Sequence, residues 1–207
     1  MPSDRITYQI FLWDLQCSIR RGTWSFSAKN LFHDIGCSDI FDNVLPCSIH
    51  DANAQFAISD QIEWDLSRYE SDKLRYYNLY KSEKCIEDYI TLKISKYHRS
   101  LFAQFRCGIL PLQIEVGRFR NLDLCERICP VCNVDVEDEI HFLCQCPLYS
   151  ELRTKLFQSA QNCNLDFYRM DVFDQFVYLM SNQQRNVITF LSKAIPLRTK
   201  RLFNSVS

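Results

Sequence analysis

The residues with the clearest capacity for chemistry are cysteines and a histidine that cluster between positions 125 and 146. Cys129 and Cys132 are separated by two residues, as Cys-Pro-Val-Cys, and His141 follows nine positions after Cys132. Zn²⁺ prefers thiolate and imidazole in closed tetrahedral sites, and a Cys-x-x-Cys pair supplies half of such a site. A histidine and a further cysteine can supply the other half. The spacing therefore predicts a structural zinc site, a zinc knuckle.

Three cysteines compete for the fourth ligand position. Cys144 lies three positions after His141 and would share a helical face with it. Cys146 precedes Pro147, which favours extended backbone at Cys146, so that this cysteine could fold back toward the ion. Cys125 precedes the knuckle and is a weaker competitor. Spacing leaves the choice of the fourth ligand open. If no metal binds, these residues are reduced core cysteines or a redox-active Cys-x-x-Cys pair. A redox-active pair usually accompanies a βαβ pattern, which is missing here.

Helical elements are predicted on both sides of the histidine. Asp135 to Glu139 form an acidic run, which suits the N-terminal end of a short helix that would carry His141. Pro147 occupies what would be the first position of the next helix. The predicted zinc site would therefore join two helical blocks.

The whole chain is predicted to be mainly α-helical. Its 207 residues include only four glycines and six prolines, a scarcity that favours long helices over a turn-rich β-sandwich. Apolar periodicity predicts helices over 4–20, 25–33, 51–69, 72–80, 84–92, 94–106, 147–158, 171–180 and 184–194, with a turn at 111–117 and a polar break at 159–166. We expect an irregular helical domain with a small zinc knuckle between helical blocks. It comprises a helical region over 1–110, a turn plus the zinc-binding motif over 111–150 and C-terminal helices over 151–207, as one compact unit.

The net charge of −1 hides a segregation of charges along the chain. Residues 1–67 hold four basic and nine acidic side chains, whereas residues 93–120 hold six basic side chains and one acidic. A basic segment can attract phosphate backbones even when the whole protein is nearly neutral. The candidate nucleic-acid-binding residues are Lys93, Lys96, Arg99, Arg106, Arg118 and Arg120, with Tyr97, His98 and Phe119 available for stacking on bases. The ordinary alternative is a solvated helix face.

The number and spacing of the cysteines and the hydropathy of the chain indicate the cellular compartment in which it functions. Eleven cysteines, an odd number, occur without the spacing of a secreted disulfide framework. The first residues lack the pattern of a signal peptide, and no apolar run approaches the roughly 18–20 residues that span a bilayer. We expect a reducing intracellular location, nuclear or cytoplasmic, and no membrane partner. The cysteines outside the motif are expected to be small buried hydrophobes; they are Cys17, Cys37, Cys47, Cys85, Cys107 and Cys163.

Four stretches of the sequence together resemble a known family. They are Phe105–Arg118 (FRCGILPLQIEVGR), Arg127–Cys132 (RICPVC), Glu137–Leu143 (EDEIHFL) and Cys146–Arg153 (CPLYSELR). This pattern is similar to the zinc-binding region that follows the polymerase domain in non-LTR (LINE-type) retrotransposon reverse transcriptases, and it is most specific over residues 100–155. The resemblance implies that the zinc ligands are Cys129, Cys132, His141 and Cys146. It also implies that the segment helps to engage template RNA or target DNA.

The chain departs from that family because it contains no polymerase. No Asp-Asp pair occurs to hold the metals of a polymerase palm, no Asp/Glu-x-Lys of a restriction-like nuclease is present, and the four glycines form no phosphate loop. We therefore expect a module that is not an enzyme, contains Zn²⁺, binds RNA or DNA and takes no small-molecule substrate. The alternative is a structural or protein-interaction remnant without intrinsic affinity for nucleic acid.

Overall fold

The computed structural model describes residues 24–39 and 49–204, and this part of the chain is mainly α-helical, as predicted. The chain divides between Leu66 and Ser67 into two compact units. The helix predicted over 4–20 lies outside the described residues. In the described part of the chain, no helix combines the length and the apolar character that crossing a membrane requires.

The described residues of the first unit include two helices. Helix α1 spans Trp24–Asp34, and helix α2 spans Ile49–Tyr69, most of which belongs to this unit. The rings of Phe32 and Phe56 meet edge to face, with centroids 6.4 Å apart. This is a favourable geometry for an aromatic pair, and it joins α1 to α2.

The second unit is a bundle of helices joined by short turns. Its helices are α3 (Asp88–Thr91), α4 (Lys96–Arg106), α5 (Gln113–Phe119), α6 (Ser150–Cys163), α7 (Val172–Asn182) and α8 (Gln184–Asn204). The turns are 3₁₀ turns at Asp72–Leu74, Tyr77–Leu79, Leu124–Glu126, Pro147–Tyr149 and Phe167–Arg169, and a π-helical turn at His141–Gln145. Within the described residues, β structure is confined to an isolated antiparallel bridge between Ile128 and Val136.

Helix α4 confirms the helix predicted over 94–106. The hydroxyl of Ser95 accepts a hydrogen bond from the backbone N–H of His98 and caps the N-terminus of the helix. Gly108 follows its end with φ +63°, a left-handed conformation that glycine adopts without strain. Phe102 and Phe105 are fully buried on the face toward the core.

Several segments differ from the predicted pattern. Residues 72–80 form two 3₁₀ turns in place of one helix, and Tyr76 and Tyr80 in this segment both meet Phe176 edge to face. Helix α5 runs through Gly117, where a Cβ would lie 2.6 Å from the side chain of Arg127. Glycine is required there by close packing and does not end a turn.

The C-terminal helices are longer than predicted. Helix α6 continues to Cys163, through the first part of the expected polar break, because Ala160 is fully buried in the core. Helix α8 continues through Pro196 to Asn204. Residues on both sides of the proline, Ala194 and Arg198, are buried, and their packing compensates for the hydrogen bond that proline cannot donate.

The core of the second unit is an aromatic cluster between α4, α6, α7 and α8. Phe142 lies at its centre, with ring centroids 4.6 Å from Tyr149, 6.0 Å from Phe190 and 6.1 Å from Phe105. Phe142 follows His141 directly in the sequence. The hydrophobic core therefore fixes the backbone that presents the histidine of the predicted metal site.

Candidate metal centre

Cys129, Cys132, His141 and Cys146 converge on one point of the second unit. One ligand atom from each side chain lies within 4.8 Å of the others. The sulfur of Cys132 lies 3.3 Å from Nε2 of His141. Zinc ligands with bond lengths of about 2.0–2.3 Å stand about 3.5–3.8 Å apart in a tetrahedron, so small shifts would accommodate an ion. The four residues could therefore hold a metal ion.

The Cys-Pro-Val-Cys segment is shaped by a short hairpin. The backbone N–H of Cys129 donates to Asp135 O at 2.8 Å, and that of Glu137 donates to Arg127 O at 3.0 Å. Asn133 adopts φ 55°, and its N–H donates to Cys129 O at 2.9 Å. Asparagine tolerates this left-handed conformation better than most residues. The turn brings Cys132 back over Cys129.

The π-helical turn explains why Cys146 joins the cluster. The backbone N–H of Cys146 donates to His141 O at 2.8 Å, five residues earlier, so the wider turn returns the chain to the side of His141. The carboxylate of Asp138 accepts from the N–H of His141 at 2.7 Å and caps the turn. Cys144 is buried outside the cluster, where burial raises the pKa of its thiol to about 12. Cys125 is exposed.

A hydrogen bond between two of the clustered cysteines shifts their pKa values in opposite directions. Hydrogen bonding to Cys146, together with burial, raises the pKa of the Cys129 thiol to about 12. The same hydrogen bond lowers the pKa of Cys146, because it stabilises that thiolate. Both cysteines are fully buried. A divalent cation bound between them would stabilise thiolates at both positions.

Arg153 holds the end of the π-helical turn in place. Its Nε donates to Leu143 O at 2.9 Å, and its Nη2 donates to Cys146 O at 2.7 Å. The side chain is buried, and burial lowers the pKa of its guanidinium. Both carbonyls belong to the segment where the π-helical turn ends. Arg153 therefore positions a predicted metal ligand through its backbone.

Arg153→Met is expected to lower stability by about 2–4 kcal/mol, because two buried carbonyls lose their donors. It is also expected to weaken metal binding about 10–100-fold, as is typical when a residue that orients a ligand is removed. Urea unfolding and competition with a chromophoric chelator measure the two effects. Arg169→Met is the control, because the Arg169 side chain is 85% exposed and pairs with the exposed Asp166. If the metal affinity of Arg153→Met is unchanged, Cys146 does not need the hydrogen bonds of Arg153 in order to bind the ion.

Glu137 is the most deeply buried acid in the described part of the chain and lies beside the cluster. Arg198 of α8 donates to both of its carboxylate oxygens, at 2.7 and 2.6 Å. The backbone N–H of Gln113, at the start of α5, donates to the same carboxylate at 2.8 Å. Oε1 of Glu137 lies 3.8 Å from the sulfur of Cys129. Glu137 thus connects the hairpin, α5 and α8 at one point.

The next two acids also have hydrogen-bond partners. Arg75 donates to both carboxylate oxygens of Glu139, at 3.0 and 2.8 Å. Burial nevertheless raises the pKa of Glu139, and the Arg75 guanidinium opposes this shift. The hydroxyl of Tyr76 donates to Asp138 at 2.5 Å. The acidic run therefore attaches the segment 72–80 to the candidate metal centre, a role that its sequence did not indicate.

Comparisons with known proteins assign no family to this arrangement. No family model matches the chain, and neither the search of curated proteins nor the search of solved structures finds a match. The interpretation of the cluster therefore rests on the residues and the geometry of this chain alone.

The residues predicted to bind nucleic acid differ in exposure. Lys93, Lys96 and Arg120 are exposed, whereas Arg99 and Arg118 are half-buried. Arg99 donates to Ile94 O at 2.9 Å, and Arg118 pairs with Glu115 at 2.8 Å.

Arg106 differs from the other five residues, because it is buried and paired within the core. Its side chain is only 2% exposed and pairs with Glu87 at 2.9 Å. The rings of Tyr80 and Phe102 lie 4.5 and 5.5 Å from its guanidinium carbon. A cation enclosed by aromatic rings is available for stabilising the core and not for a phosphate backbone.

Proposed function

We propose that this chain is a non-catalytic, zinc-containing helical module that binds RNA or single-stranded DNA. The observation that carries the zinc assignment is the convergence of three sulfurs and one imidazole nitrogen within 4.8 Å. A catalytic zinc keeps a position open for water or substrate, whereas four protein ligands fill a tetrahedron. The role of the ion is then to fasten the hairpin to the π-helical turn.

The donor chemistry supports zinc over other ions. Three thiolates and an imidazole are soft and borderline ligands, which disfavour Mg²⁺ and Ca²⁺. Cys129 and Cys146 are fully buried, and His141 is 3% exposed. A buried site of this composition suits a structural ion that exchanges slowly with solvent.

Support for nucleic-acid binding comes from exposed cations that accompany exposed rings. Tyr97 is 58% exposed beside Lys96 at the start of α4, and Phe119 is 74% exposed beside Arg120 at the end of α5. The guanidinium of Arg118 lies over the ring of Phe119 at 5.3 Å. Aromatic platforms flanked by cations stack bases and attract phosphates, as single-strand-binding proteins do. The resemblance to the reverse transcriptase region favours the same ligand.

We expect the zinc-loaded chain to bind a short single-stranded RNA or DNA with an affinity that falls steeply as salt rises. Replacing Lys93, Lys96 and Arg120 by alanine removes up to three phosphate contacts. The negative slope of log K against log salt should therefore become shallower by about 2. Fluorescence anisotropy at several salt concentrations measures this slope. The matched control replaces Lys155 and Lys193, two exposed lysines on α6 and α8, and should leave the slope unchanged. An equal loss in both variants, or no salt-sensitive binding in the parent chain, would contradict the proposal.

A protein-interaction module is the second candidate, and the first unit supplies the observation that favours it. On α2, Ile58, Ile62 and Leu66 repeat every four residues and are 53%, 55% and 56% exposed. Exposed apolar stripes of this kind often bind a partner helix. Recovery of a protein partner that survives nuclease treatment and is lost in Ile62→Glu would favour this candidate.

A further inference from the structure

A groove lies between helices α6 and α8 of the second unit. Leu156 and Phe190, both almost fully buried, line its first part. Its second part lies between the start of α6 and the end of α8, where Leu148 and Leu197 line it. Glu151 lines both parts, so the two parts adjoin.

The groove continues to the Cys-Pro-Val-Cys segment of the candidate metal centre. Arg201 lines the second part and also two further hollows, both of which are lined by Val131 of that segment. Along α8 the lining residues extend from Asn186 to Asn204. At 1.5 Å per residue this is about 27 Å, the length of about five turns of an α-helix.

Basic side chains dominate the charge of the groove. Glu151 is the one acid among the described residues that line it, against four basic residues, Lys155, Lys193, Lys200 and Arg201. All four basic side chains are exposed. Within the described part of the chain, none of the four forms a salt bridge. Charge complementarity therefore favours an anionic partner.

The apolar lining of the groove is aliphatic, which favours a peptide over a nucleic acid. Phe190 is the one aromatic side chain among the described lining residues, and it is only 3% exposed. Bases stack on exposed ring faces, and this groove offers none from those residues. An amphipathic helix, by contrast, places aliphatic side chains into a groove between two helices.

We propose that this groove docks an acidic amphipathic helix of a partner protein. The apolar side chains of the partner lie between α6 and α8, and its carboxylates pair with the four basic residues of the groove. Docking does not depend on nucleic-acid binding, because the exposed cations proposed to contact phosphate do not line the groove; they are Lys93, Lys96 and Arg120.

The test measures the binding of three labelled synthetic peptides to the full chain by fluorescence anisotropy. Each has about 18 residues, to match the length of the groove. The first repeats leucine at three- and four-residue spacing with glutamate elsewhere, the second has glutamine in place of glutamate, and the third contains the residues of the first in an order that breaks the spacing. We expect the first peptide to bind about tenfold more tightly than either of the others. Equal binding of the first peptide and either of the others would overturn the proposal.

Two charge-reversal variants locate the binding site. Lys193→Glu with Lys200→Glu changes the groove and should weaken the acidic peptide about tenfold, with no effect on the binding of single-stranded RNA. Lys93→Glu with Arg120→Glu is the matched control, because it changes the net charge equally outside the groove and should leave the peptide affinity unchanged. Thermal unfolding shows whether both variants keep the fold.

Two results from these variants would contradict the docking site. Equal weakening of the acidic peptide in both variants would mean that the peptide responds to the net charge of the protein and not to the groove. Loss of RNA binding in the groove variant, with peptide binding retained, would mean that the groove holds a nucleic acid.

Discussion

Cys146→Ser is expected to abolish metal binding and to unfold much of the second unit, whereas Cys144→Ser is expected to retain both the metal and the fold. The two cysteines are two positions apart, yet only Cys146 belongs to the four-ligand cluster. Structural zinc contributes an apparent binding free energy of about 10–16 kcal/mol, which is comparable to the whole stability of a domain of about 5–15 kcal/mol. Loss of one ligand therefore removes a large part of the net stability.

Metal content per chain and thermal unfolding, with and without a strong chelator, measure this difference. Cys144→Ser should show one equivalent of zinc and a chelator-sensitive unfolding temperature, as the parent chain should. Cys144 is buried, so its replacement by serine is expected to cost about 1–2 kcal/mol without releasing the ion. A parent chain whose unfolding is indifferent to the chelator, or a Cys146→Ser variant that keeps its zinc, would overturn the structural assignment.

Arg198→Met is expected to be the second most damaging substitution, with a loss of about 3–5 kcal/mol. Arg198 is the partner that neutralises Glu137, whose side chain has no exposed surface. Removing it leaves an uncompensated carboxylate in the core, close to the sulfur of Cys129. Urea unfolding of the zinc-loaded protein measures the change in the free energy of unfolding.

The double variant Glu137→Gln with Arg198→Met distinguishes a buried charge from lost packing. If the unpaired charge causes the loss, Glu137→Gln should restore about half of the stability that Arg198→Met removes. Asp166→Asn is the matched control, because the Asp166–Arg169 pair is exposed and such pairs contribute about 0–1 kcal/mol. If the double variant is no more stable than Arg198→Met alone, the loss of stability comes from lost packing and not from the unpaired charge.

The sequence was most informative where ligand chemistry restricts the choice of residues. Few side chains bind a soft metal, so Cys129, Cys132 and His141 were recognisable from type and spacing. The choice of Cys146 over Cys144 could not be made from spacing, because it depends on a π-helical turn. That turn is stabilised by Arg153 and by the packing of Phe142, which are tertiary contacts.

The charged residues were the least predictable. The sequence predicted Glu137 and Glu139 as part of an acidic run at the start of a short helix, and Arg106 as part of a basic segment that could contact phosphate. Each is buried beside a partner far away in sequence: Arg198, Arg75 and Glu87 respectively. The sequence shows that a side chain is charged. It does not show whether an oppositely charged side chain from another element will pair with it in the folded protein. The long helices were predictable, because their apolar periodicity is local.

The distance along the chain between Glu137 and Arg198 has a consequence for synthesis on the ribosome. All four predicted metal ligands emerge before Arg198, which follows Glu137 by 61 residues. At about 5–20 residues per second, translation leaves an interval of several seconds in which the ligands can meet an ion but the Glu137 carboxylate has no partner. The four predicted ligands can therefore meet an ion early. The Glu137 carboxylate, however, can be buried with its partner only after helix α8 has been synthesised. A nascent chain that stalls within this interval would expose the hairpin to quality-control factors with its metal ligands already complete.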